Sequence, residues 1–130
     1  MLKDFKNWHN KKEQIHSKKE RPFFHEREVW FCTLGVNVGF EQDGRGENFL
    51  RPALVIKKFN NAVFWVLPLT KTLKKGKYYY DFIIKERDES SIVILSQLRL
   101  VDAKRLQYKI GNIKEEDFLE IKKRLIKFLD

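Results

Sequence analysis

From residue 28 to residue 110 the chain is written in short apolar stretches, rich in Val, Ile, Phe and Trp and broken by turn residues. Each stretch is too short for a globular helix, and several in succession with one helical segment after them leave a small, strongly bent antiparallel sheet or barrel as the fold. The spacing predicts strands over 29–34, 51–56, 62–67, 78–84 and 91–95, with short strands over 99–102 and 108–110. Pro52 stands at the entrance of its strand, where a missing N–H is tolerated, and Asn60-Asn61 marks a turn. Gly and Asn punctuate a long charged loop over 35–50.

The chain ends in a helical pattern. Phe118, Ile121, Leu125 and Phe128 recur at intervals of three and four, which puts one apolar stripe on one face, positioned to pack on the sheet. Asn112, with Glu115 three residues further on, is placed to cap that helix.

Residues 1–24 read differently and form a basic N-terminal arm, with the domain proper over 25–130. In the arm, Leu2, Phe5, Trp8 and Ile15 could share a ragged helical face, and Pro22 marks a break before the next element. The arm holds seven Lys and Arg against three Asp and Glu, a net of +4 (7 − 3) out of +9 for the whole chain. Such a balance draws a chain to phosphate backbones or anionic membranes. The arm has two candidate roles: added electrostatic grip on a phosphate backbone, or an amphipathic helix lying over the rest of the protein through Leu2, Phe5 and Trp8.

Several chemistries have no support in the sequence. His9, His16 and His25 are not paired at metal-ligand spacing, and Cys32 is the only cysteine, so the sequence offers neither a zinc site nor an internal disulfide. Cys32 lies inside an apolar strand and should behave as a small hydrophobe rather than a nucleophile. There is no P-loop and no GxGxxG, and Gly44-Arg45-Gly46 comes after no strand that feeds a helix. No apolar run approaches the ~20 residues of a membrane span, and the charged N-terminus lacks the apolar centre of a signal peptide. The expected location is the cytoplasm, with no membrane partner.

Three segments resemble one known family. Gly39-Phe40-Glu41-Gln42 leading to Arg51-Pro52-Ala53-Leu54-Val55-Ile56 resembles the first hairpin of the MazF/PemK toxins. Val66-Leu67-Pro68-Leu69-Thr70 is similar to the family's strand ending in Pro-x-Thr. Gln97-Leu98-Arg99-Leu100-Val101-Asp102, with Lys104-Arg105-Leu106 after it, is similar to its Gln-x-Arg-x-x-Asp-x-x-Arg-Leu run. The resemblance covers residues 25–130 in order. It departs from the pattern in the basic arm, in the lengthened loop over 43–50, and in Phe40, Ile94 and Ser96, which stand where the Kid-type branch has its His, Arg and Asp.

That resemblance implies a mainly β, SH3-like fold of the CcdB–MazF type, a curved antiparallel barrel with a C-terminal helix. It implies a homodimer, a cognate antitoxin, DNA binding in complex with that antitoxin, and sequence-specific cleavage of single-stranded RNA. By position, Arg51 and Thr70 match the residues assigned to catalysis. Glu41, Gln42 and Gln97 match positions lining the RNA groove. Phe40, with Phe49 and Tyr78–Tyr80, offers flat faces for bases, though strand alternation should bury at least one of the tyrosines; Lys71 and the lysines after it offer a phosphate path, and Ser96 stands beside Gln97. The expected reaction needs no cofactor or metal, since RNA carries its own nucleophile in the 2′-OH. Arg51 would hold the charge developing on phosphorus, Thr70 would add a hydroxyl donor, and Glu41 is a candidate base. The competing functions are a non-enzymatic nucleic-acid or protein binding module, or a CcdB-like gyrase inhibitor.

Overall fold

A computed structural model describes residues 3–35 and 49–130. Its elements run α1 (Phe5–His16), β1 (Glu28–Thr33), β2 (Leu50–Lys58), β3 (Val63–Thr70), β4 (Tyr79–Ile84), β5 (Glu89–Ile94), β6 (Arg99–Asp102), β7 (Leu106–Asn112) and α2 (Glu115–Lys127). Short 3₁₀ turns, η1 (Leu95–Gln97) and η2 (Ala103–Arg105), lie either side of β6. Every predicted strand is present. β2 and β3 run two or three residues further than their apolar cores suggest, because pairing with neighbours extends a strand past the residues that bury well.

The strands form one antiparallel sheet in the order β4-β5-β3-β2-β1-β7, with β6 branching from β3. β3 serves two neighbours on one side. Leu69 and Thr70 pair with β5, whereas Val63–Val66 pair with β6, and η1 carries the chain from one to the other. A bulge between Val55 and Lys57 bends β2, as an extra unpaired residue does. Among the described residues β6 and β7, joined through η2, do not pair, so the sheet curves without closing.

Strand alternation sends the apolar side chains to both faces. One core holds Leu54, Ile56, Leu67, Leu69 and Val93 under α2, which buries Phe118 and Ile121 and leans Leu125 on the same cluster. Phe128, the last of the expected stripe, instead lies at the surface with its ring 5.5 Å from Tyr78. The other core holds Trp30, Cys32, Ala53, Val55, Phe64 and Val66, closed by Phe24 and by the β6–β7 segment. Asn112 does not cap α2. It ends β7, where its N–H and its side-chain amide donate to Glu86, and Lys114 takes the cap position without a side-chain bond. No helix among the described residues is long and apolar enough to cross a membrane.

α1 forms from the basic arm and docks on the sheet domain. Asp4 caps it, accepting from the Asn7 N–H at 3.2 Å. The docking face is part of the expected one: Trp8 and Ile15 are buried with Phe49, while Phe5 is 55% exposed and Leu2 lies outside the described residues. Trp8 lies against Gly35, where a Cβ would collide with the indole, and Gly35 also has φ +76, a backbone that disfavours other residues. Arg21 holds Asp102 through two 2.9 Å bonds, and Lys104 Nζ donates to the His16 carbonyl at 3.0 Å.

Candidate active site

β2 and β3 bring Arg51 and Thr70 together. Ala53 pairs with Pro68, and Arg51 and Thr70 each lie two residues beyond that pair, so alternation puts both on one face. The Arg51 guanidinium reaches across and donates from Nη1 to the Leu69 carbonyl at 3.0 Å. That bond fixes the side chain against the residue preceding Thr70. Arg51 is only 5% exposed, which a long cation tolerates when its donors are matched. Thr70, half-buried at the end of β3, accepts at Oγ1 from the Thr72 N–H at 3.2 Å; its hydroxyl keeps its own proton to donate.

Phe40, Glu41 and Gln42 lie outside the described residues. Lys71, next to Thr70, is exposed and reaches Glu89 at 3.5 Å. Gln97 is half-buried in η1, between β5 and β6. Ser96 is exposed in η1, four residues along the chain from Ile92, the β5 partner of Thr70. Ser96 lines an apolar groove of about 870 Å³ between α2 and the sheet, with Phe59, Trp65, Tyr78, Leu98 and Phe128.

The aromatic expectation needs correction at Phe49, while the tyrosines divide between strand packing and exposure. Phe49 is not free to stack on a base; it is buried under α1, 5.3 Å ring to ring from Trp8. Tyr80 is structural: its hydroxyl donates to Asp117 at 2.7 Å and its ring packs against the α2 core. Burial and that carboxylate push its pKa up to about 12. Tyr78 keeps an exposed ring.

The chemistry expected of Cys32 holds. It is fully buried, and burial pushes its thiol up to about 12, so it stays neutral at physiological pH. It also locates two residues to which the sequence alone assigns no role. Cys32 pairs across the strands with Arg51, and Arg105 and Arg99 both act on its sulfur electrostatically. Arg105 donates to the Thr33 carbonyl at 3.1 Å. Its own pKa is lowered, by burial first and then by Arg99. Three arginines thus gather at one end of the sheet face that carries Cys32, where an anion would be attracted. The available signal was the Arg-x-x-Asp-x-x-Arg spacing of Arg99, Asp102 and Arg105, which β6 and η2 turn toward that face.

A family model described as a PemK-like, MazF-like toxin of type II toxin-antitoxin systems matches residues 25–129. No curated protein sequence matches the chain. Among solved structures, MazF from Deinococcus radiodurans is similar with a TM-score of 0.69 and 19% identity, covering 85% of this chain and 98% of that one. The MazE–MazF complex of the same organism gives 0.57 at 18%, covering 85% and 97%. An endoribonuclease from a Mycobacterial species, solved with its cognate antitoxin, gives 0.61 at 14%, covering 82% and 95%.

Proposed function

The chain belongs to the PemK-like, MazF-like toxins of type II toxin–antitoxin systems, and on that premise we propose that it is an endoribonuclease that cuts single-stranded RNA at short sequences without a metal. The observation that carries this reading is the Arg51 guanidinium clamped on the Leu69 carbonyl beside Thr70. The 2′-OH of the substrate gives up its proton and attacks the adjacent phosphorus in line while the bond to the 5′-oxygen breaks, the departing oxygen taking a proton from solvent. The products are a 2′,3′-cyclic phosphate and a 5′-OH. Arg51 and Thr70 donate to the phosphorane oxygen that gains charge, where preorganised donors contribute most. Arginine is a poor base, with a pKa above about 12. Glu41 remains the candidate to take the 2′ proton, and lies outside the described residues.

The same reading includes a homodimer neutralised by a cognate antitoxin. Two of the similar structures are toxin–antitoxin complexes, and the apolar groove along α2 supplies a surface that such partners would cover. The test is incubation of purified protein with RNA in excess EDTA, with end analysis of the products. Cleavage at a few sites, leaving cyclic phosphate and 5′-OH ends, is expected. Activity that vanishes with chelator and returns with a divalent ion would overturn the metal-free chemistry.

A further inference from the structure

We propose that the cleft between α1 and η2 is a phosphate-binding subsite for the RNA strand on one side of the scissile bond, built by a helix that precedes the family-matched residues. The proposal rests on the ribonuclease reading of the Arg51 site. The cleft encloses about 300 Å³. Trp8 forms one wall, and Lys12, Arg21, Lys104 and Arg105 bring four positive charges to it. Among the described residues Asp102 is the only carboxylate on its lining. That carboxylate is already engaged by the Arg21 guanidinium and the Lys104 backbone N–H. Arg21 first, and the Lys104 backbone N–H after it, hold its pKa below the usual carboxylate range against the opposing effect of burial.

The remaining cations are held by neutral groups. Arg105 donates to the Thr33 carbonyl and lies 5.6 Å over the Trp8 ring. Lys104 Nζ donates to the His16 carbonyl. Lys12 Nζ sits 5.9 Å from the centre of the same indole. Carbonyls and a ring orient these charges without neutralising them, so the cleft keeps a positive excess. Arginine and lysine side chains converging on a small cavity match a phosphate.

The location favours an RNA phosphate over a free one. Arg105 belongs both to the cleft and to the group around Cys32, and Cys32 is the cross-strand partner of Arg51. On the proposed path, a strand whose scissile phosphate meets Arg51 runs past Arg105 toward Lys12. Phosphate contacts position a strand without reading its bases, so the subsite raises affinity and leaves the cut sequence alone.

The test compares Lys12→Glu with Lys6→Glu, an equal charge change on an exposed α1 residue that does not line the cleft. Binding is measured with a 2′-O-methyl oligonucleotide, which cannot be cut, so failure of the nuclease reading would not mask the result. Lys12→Glu should weaken binding roughly tenfold and flatten the log–log salt slope by about 0.7, one phosphate contact in a single strand. Lys6→Glu should change binding far less. On cleavable RNA, Lys12→Glu should raise KM at unchanged kcat and unchanged cut sites. Inorganic phosphate at fixed ionic strength should compete with RNA for the parent protein more than for Lys12→Glu. Equal effects of the two variants would reduce the arm to diffuse charge and overturn the proposal. Phosphate binding that depends on Lys12 without any change in RNA affinity would make this a free-phosphate site and also overturn it. Faster cleavage by Lys12→Glu at equal affinity would make α1 an inhibitory cover instead.

Discussion

Replacing Arg51 with Ala should slow RNA cleavage by roughly a hundredfold to a thousandfold while RNA binding persists, because its donors act most strongly on charge that exists only in the transition state. Arg51→Lys should recover little of the rate. A lysine keeps the charge but loses the planar fork, and with it the geometry that lets one arm anchor on Leu69 while the guanidinium lies beside Thr70. Arg51 is buried, so the variants must first be shown to be folded by an unaltered urea transition slope. Thr70→Ala, at a half-exposed strand end, removes one hydroxyl with little structural cost. Single-turnover rates on a fixed oligonucleotide measure all three. Unchanged rates in Arg51→Ala and Thr70→Ala would place the chemistry elsewhere on the fold.

The largest effect on stability is expected at Phe64. Its side chain is fully buried in the core around Trp30 and Cys32 and packs at 4.6 Å, ring to ring, against Phe24. Phe24 lies between α1 and β1 and closes that core from the N-terminal side. Phe64→Ala would leave a cavity that the sheet cannot collapse into, since β3 is held by β2 on one side and by β5 and β6 on the other. The loss should be about 3–5 kcal/mol. Urea denaturation should show a lower midpoint with an unchanged slope. A loss below about 1 kcal/mol would mean that Phe24 and Phe64 do not share a packed interior.

Local signals went a long way toward the fold. Apolar runs of strand length gave every strand, and the three-four spacing of Phe118, Ile121 and Leu125 gave the buried face of α2. The failures all involve partners distant in sequence. Asn112 has the neighbours of a helix cap, but Glu86, twenty-six residues earlier (112 − 86), holds its amide. Phe49 has the setting of a stacking platform in a polar loop, yet Trp8, forty-one residues earlier (49 − 8), packs against it. The docking of α1 was open to two readings because an amphipathic pattern does not say which residues will meet a partner. Gly35, Phe49 and Arg105 select Trp8, and Phe5 is left exposed.

The candidate site was legible unevenly. Arg51 and Thr70 could be named together only through the family resemblance, since no spacing rule links them; the β2–β3 register supplies the physical reason they meet. Ser96 is grouped with Gln97 by adjacency, but η1 turns it into the apolar groove. Arg99 and Arg105 are visible in the motif, and Cys32 shows which face they approach.

The central claim is that the substrate's own 2′-OH is the nucleophile, with Arg51 and Thr70 stabilising the species it forms. The most direct measurement is single-turnover cleavage of an oligonucleotide containing a strong cut site, against the same strand with one 2′-deoxy substitution at the nucleotide before the scissile phosphate. The substituted strand should bind as well and remain intact at that position, while the all-RNA strand yields a 2′,3′-cyclic phosphate and a 5′-OH. Cleavage of the deoxy-substituted strand at the same position, or ends carrying a 5′-phosphate, would contradict the account.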